Sequence, residues 1–217
     1  MSIQEKVEMR AKAAELAGFE FTPWPKTARL FRDIVITEKL DGTNAAIHIR
    51  ENEDAPGTYA VAAQSRRRLI TPDDDNYGFA AWVRANARDL VTILGPGLHF
   101  GEWWGRGIQR GYGLETRRFS LFNTERWWAI DEGLDTSMHE RAEQSDLCGL
   151  VDAVPVLYQG AFSEEQITSA LGDLKADGSY AAPGFMTPEG ICIYHTQTRS
   201  VLKVTLDHSD AGKWEAA

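Results

Sequence analysis

The chain has 217 residues, 43% hydrophobic and 25% charged, with a formal net charge of −9. That is enough sequence to bury a stable core without disulfide or metal staples, and the negative average field disfavours a bulk polyanion binder. No apolar run approaches the ~18 residues that span a bilayer, which argues against a membrane partner.

In chain order, the opening MSIQEKVEMRAKAAELAG reads as a charged amphipathic helix over 3–17 rather than a signal peptide. Strands are predicted at 28–37, 44–50, 58–64, 97–103, 117–123, 153–158, 189–195 and 200–206, from alternating or continuous apolar runs. ENEDAPGTY reads as a hairpin connection between the second and third of them. A helix over 78–94 carries Phe79, Trp82, Val83, Leu90 and Leu94 on one stripe. Another over 163–175 opens with Ser163 and Gln166 in capping-box spacing. With no repeat, low-complexity tract or linker, residues 1–217 are expected to form a single domain. Many strands with few helices between them point to an α+β class built on largely antiparallel sheet. Cys148 and Cys192 have no CxxC spacing, so neither a disulfide framework nor a zinc knuckle is indicated and a reducing, cytoplasmic setting is expected.

Positive charge gathers mid-chain, in SRRR at 65–68 and at Arg106, Arg110, Arg117 and Arg118, which keeps a local phosphate-binding surface open. The residue that stands out is Lys39, in TEKLDGTN. A lysine among acids is ordinarily a solvated surface group, but this one sits between the apolar strand DIVIT and a glycine-containing turn, where side chains are commonly presented into a cleft. A lysine is a nucleophile only when neutral, and its ordinary pKa of about 10.4 has to be lowered by burial or neighbouring cations. Cations are available: Arg66, Arg67 and Arg68 at the end of a predicted strand, where alternation points Arg66 and Arg68 to one side, and Lys203 inside the apolar strand RSVLKVTL. Either set also reads as an exposed basic edge. Two carboxylates stand at strand mouths or beside glycines, Glu102 in FGEWWGRGIQ and Glu189 in TPEGICIYH. Together with the lysines they resemble a site for a nucleotide and a divalent metal, because Mg²⁺ is commonly held by one or two acids plus substrate phosphates. No GxGxxG or Walker-type phosphate loop is present. Phe119 and Phe122, three apart in a strand, face opposite ways, so one is free for the core and the other for a ligand.

Taken in order, EKLDGTN, SRRR, FGEWWGRGIQ, FSLFN, EGICIYH and VLKV resemble the successive motifs of the covalent nucleotidyltransferase superfamily of ATP-dependent RNA and DNA ligases and mRNA-capping enzymes, over about residues 36–206. GTN after the lysine motif, and GE followed by GxGIQ, place the resemblance nearest the RNA ligase 2 class. It implies a nucleotidyltransferase (ATP-grasp-like) fold with flanking helices, ATP and Mg²⁺ (or Mn²⁺) as cofactors, and RNA ends or a nicked duplex as the other substrate. It implies further that Lys39 attacks the α-phosphate of ATP to form lysyl-AMP. Glu38 would hold the adenine through its backbone, Asn44 and Arg66 would contact phosphate or the incoming strand, and Glu102 would bind the ribose. Phe122 would stack on adenine, Glu189 with Glu102 would support the metal, and Lys203 would bind the α-phosphate. Thr205 departs from the pattern, since the fifth motif often carries a second lysine there. Only about a dozen residues follow that motif, ending DHSDAGKWEAA, so no C-terminal oligonucleotide-binding domain is expected and a partner supplying strand binding is an open possibility. The alternatives are a minimal DNA ligase and a noncatalytic nucleotide or RNA-end binding module that keeps the fold.

Overall fold

Period-two burial sets the frame of the molecule. In β1 (Asp33–Lys39), Ile34 and Ile36 are fully buried while Val35 and Thr37 face the other way. The computed structural model describes residues 2–18, 22–25, 27–128 and 138–207. The end of the tail, 208–217, lies outside the described residues. Two compact units are present, residues 1–30 and 31–217. The first carries α1 (Ile3–Ala17), whose start is capped reciprocally: the Glu5 amide donates to Ser2 Oγ at 3.2 Å and the Ser2 amide to Glu5 Oε2 at 2.6 Å.

The second unit holds two sheets. The larger takes its strands in the order β4 (Leu69–Ile70), β3 (Tyr59–Ser65), β2 (Thr43–Glu51), β5 (Gly97–Gly105), β6 (Arg117–Leu121), β7 (Val151–Ala153). The smaller runs β10 (Ser200–Thr205), β9 (Gly190–His195), β1, β8 (Val156–Ala161). All pairings are antiparallel except β6 with β7. One face of the larger sheet, with Ile47, Ile49, Trp103, Phe119 and Leu121, is buried under α2 (Phe79–Ala85) and α3 (Ala87–Leu94). The smaller sheet buries Ile34, Ile36, Ile191 and Ile193 against Ala170 and Leu174 of α6 (Glu164–Asp177). A third cluster of Leu40, Trp104, Tyr112, Val154 and Ala182 joins the residue after β1 to β5. Two short helices, α4 (Thr124–Trp128) and α5 (Met138–Glu143), escape a search for long apolar stripes. Among the described residues no helix is long and apolar enough to cross a membrane.

The α+β, largely antiparallel class is what the structure holds, and its departures from the predicted elements are local. The helix expected over 78–94 is two helices, because Asn86 leaves helical geometry and both its amide and its side-chain nitrogen donate to Trp82 O. The strand expected over 153–158 is two strands in different sheets. Pro155 lacks an amide proton for the ladder, and the chain crosses there from β7 to β8. The strand expected from residue 28 begins only at Asp33, and Leu30 and Phe31 before it are exposed. The three arginines do not extend β3. The Ser65 amide donates to Arg68 O at 2.8 Å, closing a turn in which strand alternation no longer applies.

Candidate active site

Lys39 is the last residue of β1, paired in register with Gly190 of β9, which is paired with Thr205 of β10. One rung therefore carries Lys39, a residue without a side chain, and Thr205. The Lys39 ammonium makes an ion pair with Glu189 Oε2, and both side chains are largely shielded, 21% and 14% exposed. Glu189 Oε2 is buried and, among the described residues, accepts no hydrogen bond beyond this ion pair. Lys203 lies opposite Cys192, itself opposite Thr37, so alternation puts Lys203 on the same sheet face as Lys39. Thr205 is buried at the end of that strand.

Glu38 turns the other way. Its carboxylate is 1% exposed and accepts from Ser179 Oγ at 2.6 Å and from the amides of Tyr180 and Ala181 at 2.9 and 3.0 Å. Its amide donates to Pro155 O at 2.9 Å. Burial pushes this carboxyl above the usual carboxylate range, against the pull of the three hydrogen bonds. Glu38 thus fastens the 179–182 loop to the strand that delivers Lys39.

Glu102 and Asn44 face each other across β5 and β2. Glu102 Oε2 accepts from Asn44 Nδ2 at 2.8 Å and Oε1 from the Gly42 amide at 3.2 Å. Gly42 is required there: a Cβ would stand 2.5 Å from Trp103 O and 2.7 Å from Trp104 Cβ. Burial pushes Glu102 up from 4.5 to about 7, against Asn44, the Lys39 charge and Gly42, with the Glu189 charge adding to the rise. The folded state thus retains a proton that the unfolded chain has released between those two values. Stability at this site is full below about 4.5, falls as pH rises towards about 7, and changes little beyond. The expected loss between pH 5 and pH 8 is on the order of 3 kcal/mol. Urea titrations at the two pH values check this, with a flatter pH dependence expected in Glu102→Gln.

Beside Asn44 the same sheet face opens into a cavity of about 240 Å³, lined by Asn44, Ala46, Gln64, Arg66, Phe100 and Phe122. Phe119 is fully buried in the core, whereas Phe122 is 43% exposed on this cavity. Of the three arginines, Arg66 reaches the cavity, and Arg68 makes a two-point ion pair with Asp74 at 2.5 and 2.8 Å that holds the turn. The structure thus brings together Lys39 with Glu189, Glu102 with Asn44, and Asn44 with Arg66 and Phe122. It places Lys203 on the face of Lys39 and directs the Glu38 side chain away. Sequence reasoning missed Tyr112 and took Arg110 only as one of several mid-chain cations. The Tyr112 hydroxyl accepts from the Asp41 amide at 2.8 Å, and Arg110 Nε donates to Asp41 at 2.9 Å. The available signal was the glycine-dense GRGIQRGYG, whose Gln109 and Tyr112 adopt left-handed φ of 45° and 53°. Among the described residues no cluster of three or more His, Cys, Asp and Glu side chains is arranged to hold a metal by protein ligands alone.

A family model described as RNA ligase matches residues 32–205, which includes every residue of this site. The chain belongs to the RNA ligase family. No curated protein matches it. Among solved structures it is similar to an RNA ligase variant from Naegleria gruberi with ATP and manganese, at 17% identity and TM-score 0.53, covering 81% of this chain and 49% of that one. A second variant of that ligase, with AMP and manganese, matches at 18% identity and TM-score 0.54, covering 82% and 51%. The Naegleria ligase with PPi matches at 17% and TM-score 0.50, covering 91% and 67%. At this identity the likeness is one of fold, and the two paired sheets are of the RNA ligase nucleotidyltransferase type. The chain spans about half the length of the first two structures.

Proposed function

We propose that this RNA ligase family domain is an ATP-dependent adenylyltransferase that activates RNA ends for sealing. The observation that carries the reading is the ion pair of Lys39, at the end of β1, with Glu189, just before β9, with buried Glu102 close enough to feel both charges. Lys39 Nζ, as the neutral amine after its proton passes to solvent, attacks the α-phosphate of ATP; a nitrogen–phosphorus bond forms, the α–β phosphoanhydride bond breaks, and pyrophosphate leaves. Positioning and charge neutralisation carry most of such a step. Lys203, on the same face, binds the α-phosphate.

Phe122 offers its exposed ring to the adenine, and Glu102, held in place by Asn44 and Gly42, accepts from the ribose. Since the Glu38 amide is committed to Pro155, any backbone contact from Glu38 to the base falls to its carbonyl. Arg66 and Asn44 face phosphate or the incoming strand. The carboxylates suit Mg²⁺ or Mn²⁺, because Glu189 Oε2 is buried with, among the described residues, only Lys39 as partner and Glu102 lies near, a donor set to be completed by substrate phosphates and water. When bound, the ion neutralises phosphate charge. AMP then passes to an RNA 5′-phosphate, and a 3′-hydroxyl displaces it to seal the strand. RNA ends or a nicked duplex are the expected substrates. The free thiols of Cys148 and Cys192 suit a reducing cytoplasm.

The test is incubation with Mg²⁺ and ATP labelled at the α-phosphate, followed by sealing assays on nicks with RNA or DNA 3′ ends. Label on the protein and preference for RNA are expected; a protein that binds ATP and takes no label sinks the reading. The two phenylalanines give an internal control. Phe122→Ala is expected to raise the ATP half-saturation about tenfold with little change in melting temperature. Phe119→Ala is expected to cost about 3–5 kcal/mol of stability. Adenylylation kinetics and thermal unfolding measure both.

A further inference from the structure

The loop between β5 and β6 reaches the site through two side chains. Besides Asp41, Arg110 touches two more segments: its NH1 donates to Thr187 O at 3.1 Å and its NH2 to Asp207 Oδ2 at 2.8 Å. Asp41 lies two residues after Lys39, Thr187 two before Glu189, and Asp207 four after Lys203. One guanidinium therefore joins the chain within two to four residues of each of the three groups proposed to act on the α-phosphate and metal. A planar fork of five donors meets three acceptors in different directions, which a lysine ammonium on a flexible stem does not reproduce. Tyr112, from the same loop, holds the other side of Asp41 through its amide and is itself packed against Trp104 and Phe185. The loop keeps Gln109 and Tyr112 in left-handed conformations to present this pair.

We propose that Arg110 is a positioning residue for adenylylation, fixing Lys39, Glu189 and Lys203 relative to one another without touching the reacting atoms. This rests on the adenylyltransferase reading above. The side chain is 25% exposed and its ion pairs are partly solvated, so its contribution to global stability is small. A displacement of about 1 Å at a reacting centre, by contrast, costs on the order of 100-fold in rate.

The experiment compares wild type, Arg110→Lys, Arg110→Ala, Asp41→Asn and the double variant Arg110→Ala/Asp41→Asn. Single-turnover labelling across ATP concentrations is expected to show a maximal rate reduced about 30- to 100-fold in Arg110→Ala. The ATP half-saturation should stay within about threefold of wild type, Arg110→Lys should restore only part of the rate, and the double variant should be no slower than the slower single. Wild-type rate in Arg110→Ala, or an unchanged maximal rate with half-saturation raised more than tenfold, overturns the proposal, the second by making Arg110 a direct ligand of ATP. Hydrogen exchange on the same proteins needs no activity. Arg110→Ala is expected to lose protection at the Asp41 and Gly42 amides, which donate to Tyr112 and Glu102, and at the Leu206 amide, which donates to Glu189 O at 2.9 Å, while β2 and β5 keep theirs. Unchanged exchange at those amides overturns the clasp. A wild type that takes no label overturns the adenylyltransferase reading instead, and the exchange result then stands as the separate test of what Arg110 holds.

Discussion

Lys39→Ala is expected to abolish transfer of AMP from ATP to the protein, by at least ~1000-fold, since it removes the nitrogen proposed to form the bond to phosphorus. The fold should survive, because Lys39 ends its strand and is partly exposed, and its loss leaves the Glu189 carboxylate without its cation rather than opening the core. Lys39→Arg sharpens the test. A guanidinium keeps a positive charge beside Glu189 but stays protonated and is no nucleophile, so this variant should be folded and equally unlabelled. Electrophoresis of the protein after incubation with α-labelled ATP measures the loss. Label of wild-type intensity on either variant places the chemistry elsewhere.

Glu38→Ala is expected to be the most destabilising change near the site, by about 3 kcal/mol or more. Removing the carboxylate leaves the Ser179 hydroxyl and the Tyr180 and Ala181 amides without their buried acceptor. It also frees a loop whose Ala181 O accepts from Arg118 NH1 and whose Ala182 packs in the cluster with Leu40, Trp104 and Tyr112. Urea unfolding at fixed pH measures the loss, and a change under about 1 kcal/mol would show that the loop finds other partners. The neighbours Glu38 and Lys39 are therefore expected to differ in kind: one variant should fail in folding, the other in chemistry.

That difference was legible in the sequence and easily misread. Period-two alternation puts successive residues of a strand on opposite faces, so if Lys39 enters the cleft the Glu38 side chain must leave it. The same alternation made Phe119 against Phe122 readable in advance, because it depends only on neighbours along one strand. The arginine run was misread by extending that rule past Ser65, where a turn held by the Arg68–Asp74 ion pair replaces the strand. Arg110 was noted only as one of several mid-chain cations, since its partners lie 69, 77 and 97 positions away and only the folded sheets bring them together. Thr205 read as a missing charge. In the fold it is a buried residue on the rung of Lys39 and Gly190, a place that no count of lysines describes.

The most direct measurement of the central claim is the intact mass of the protein after incubation with ATP and Mg²⁺, with peptide mapping of any adduct. A single increment equal to one AMP, located on Lys39 and reversed by added pyrophosphate, is the predicted result. An unmodified mass from protein that binds ATP in calorimetry, or an adduct on another residue, would contradict it.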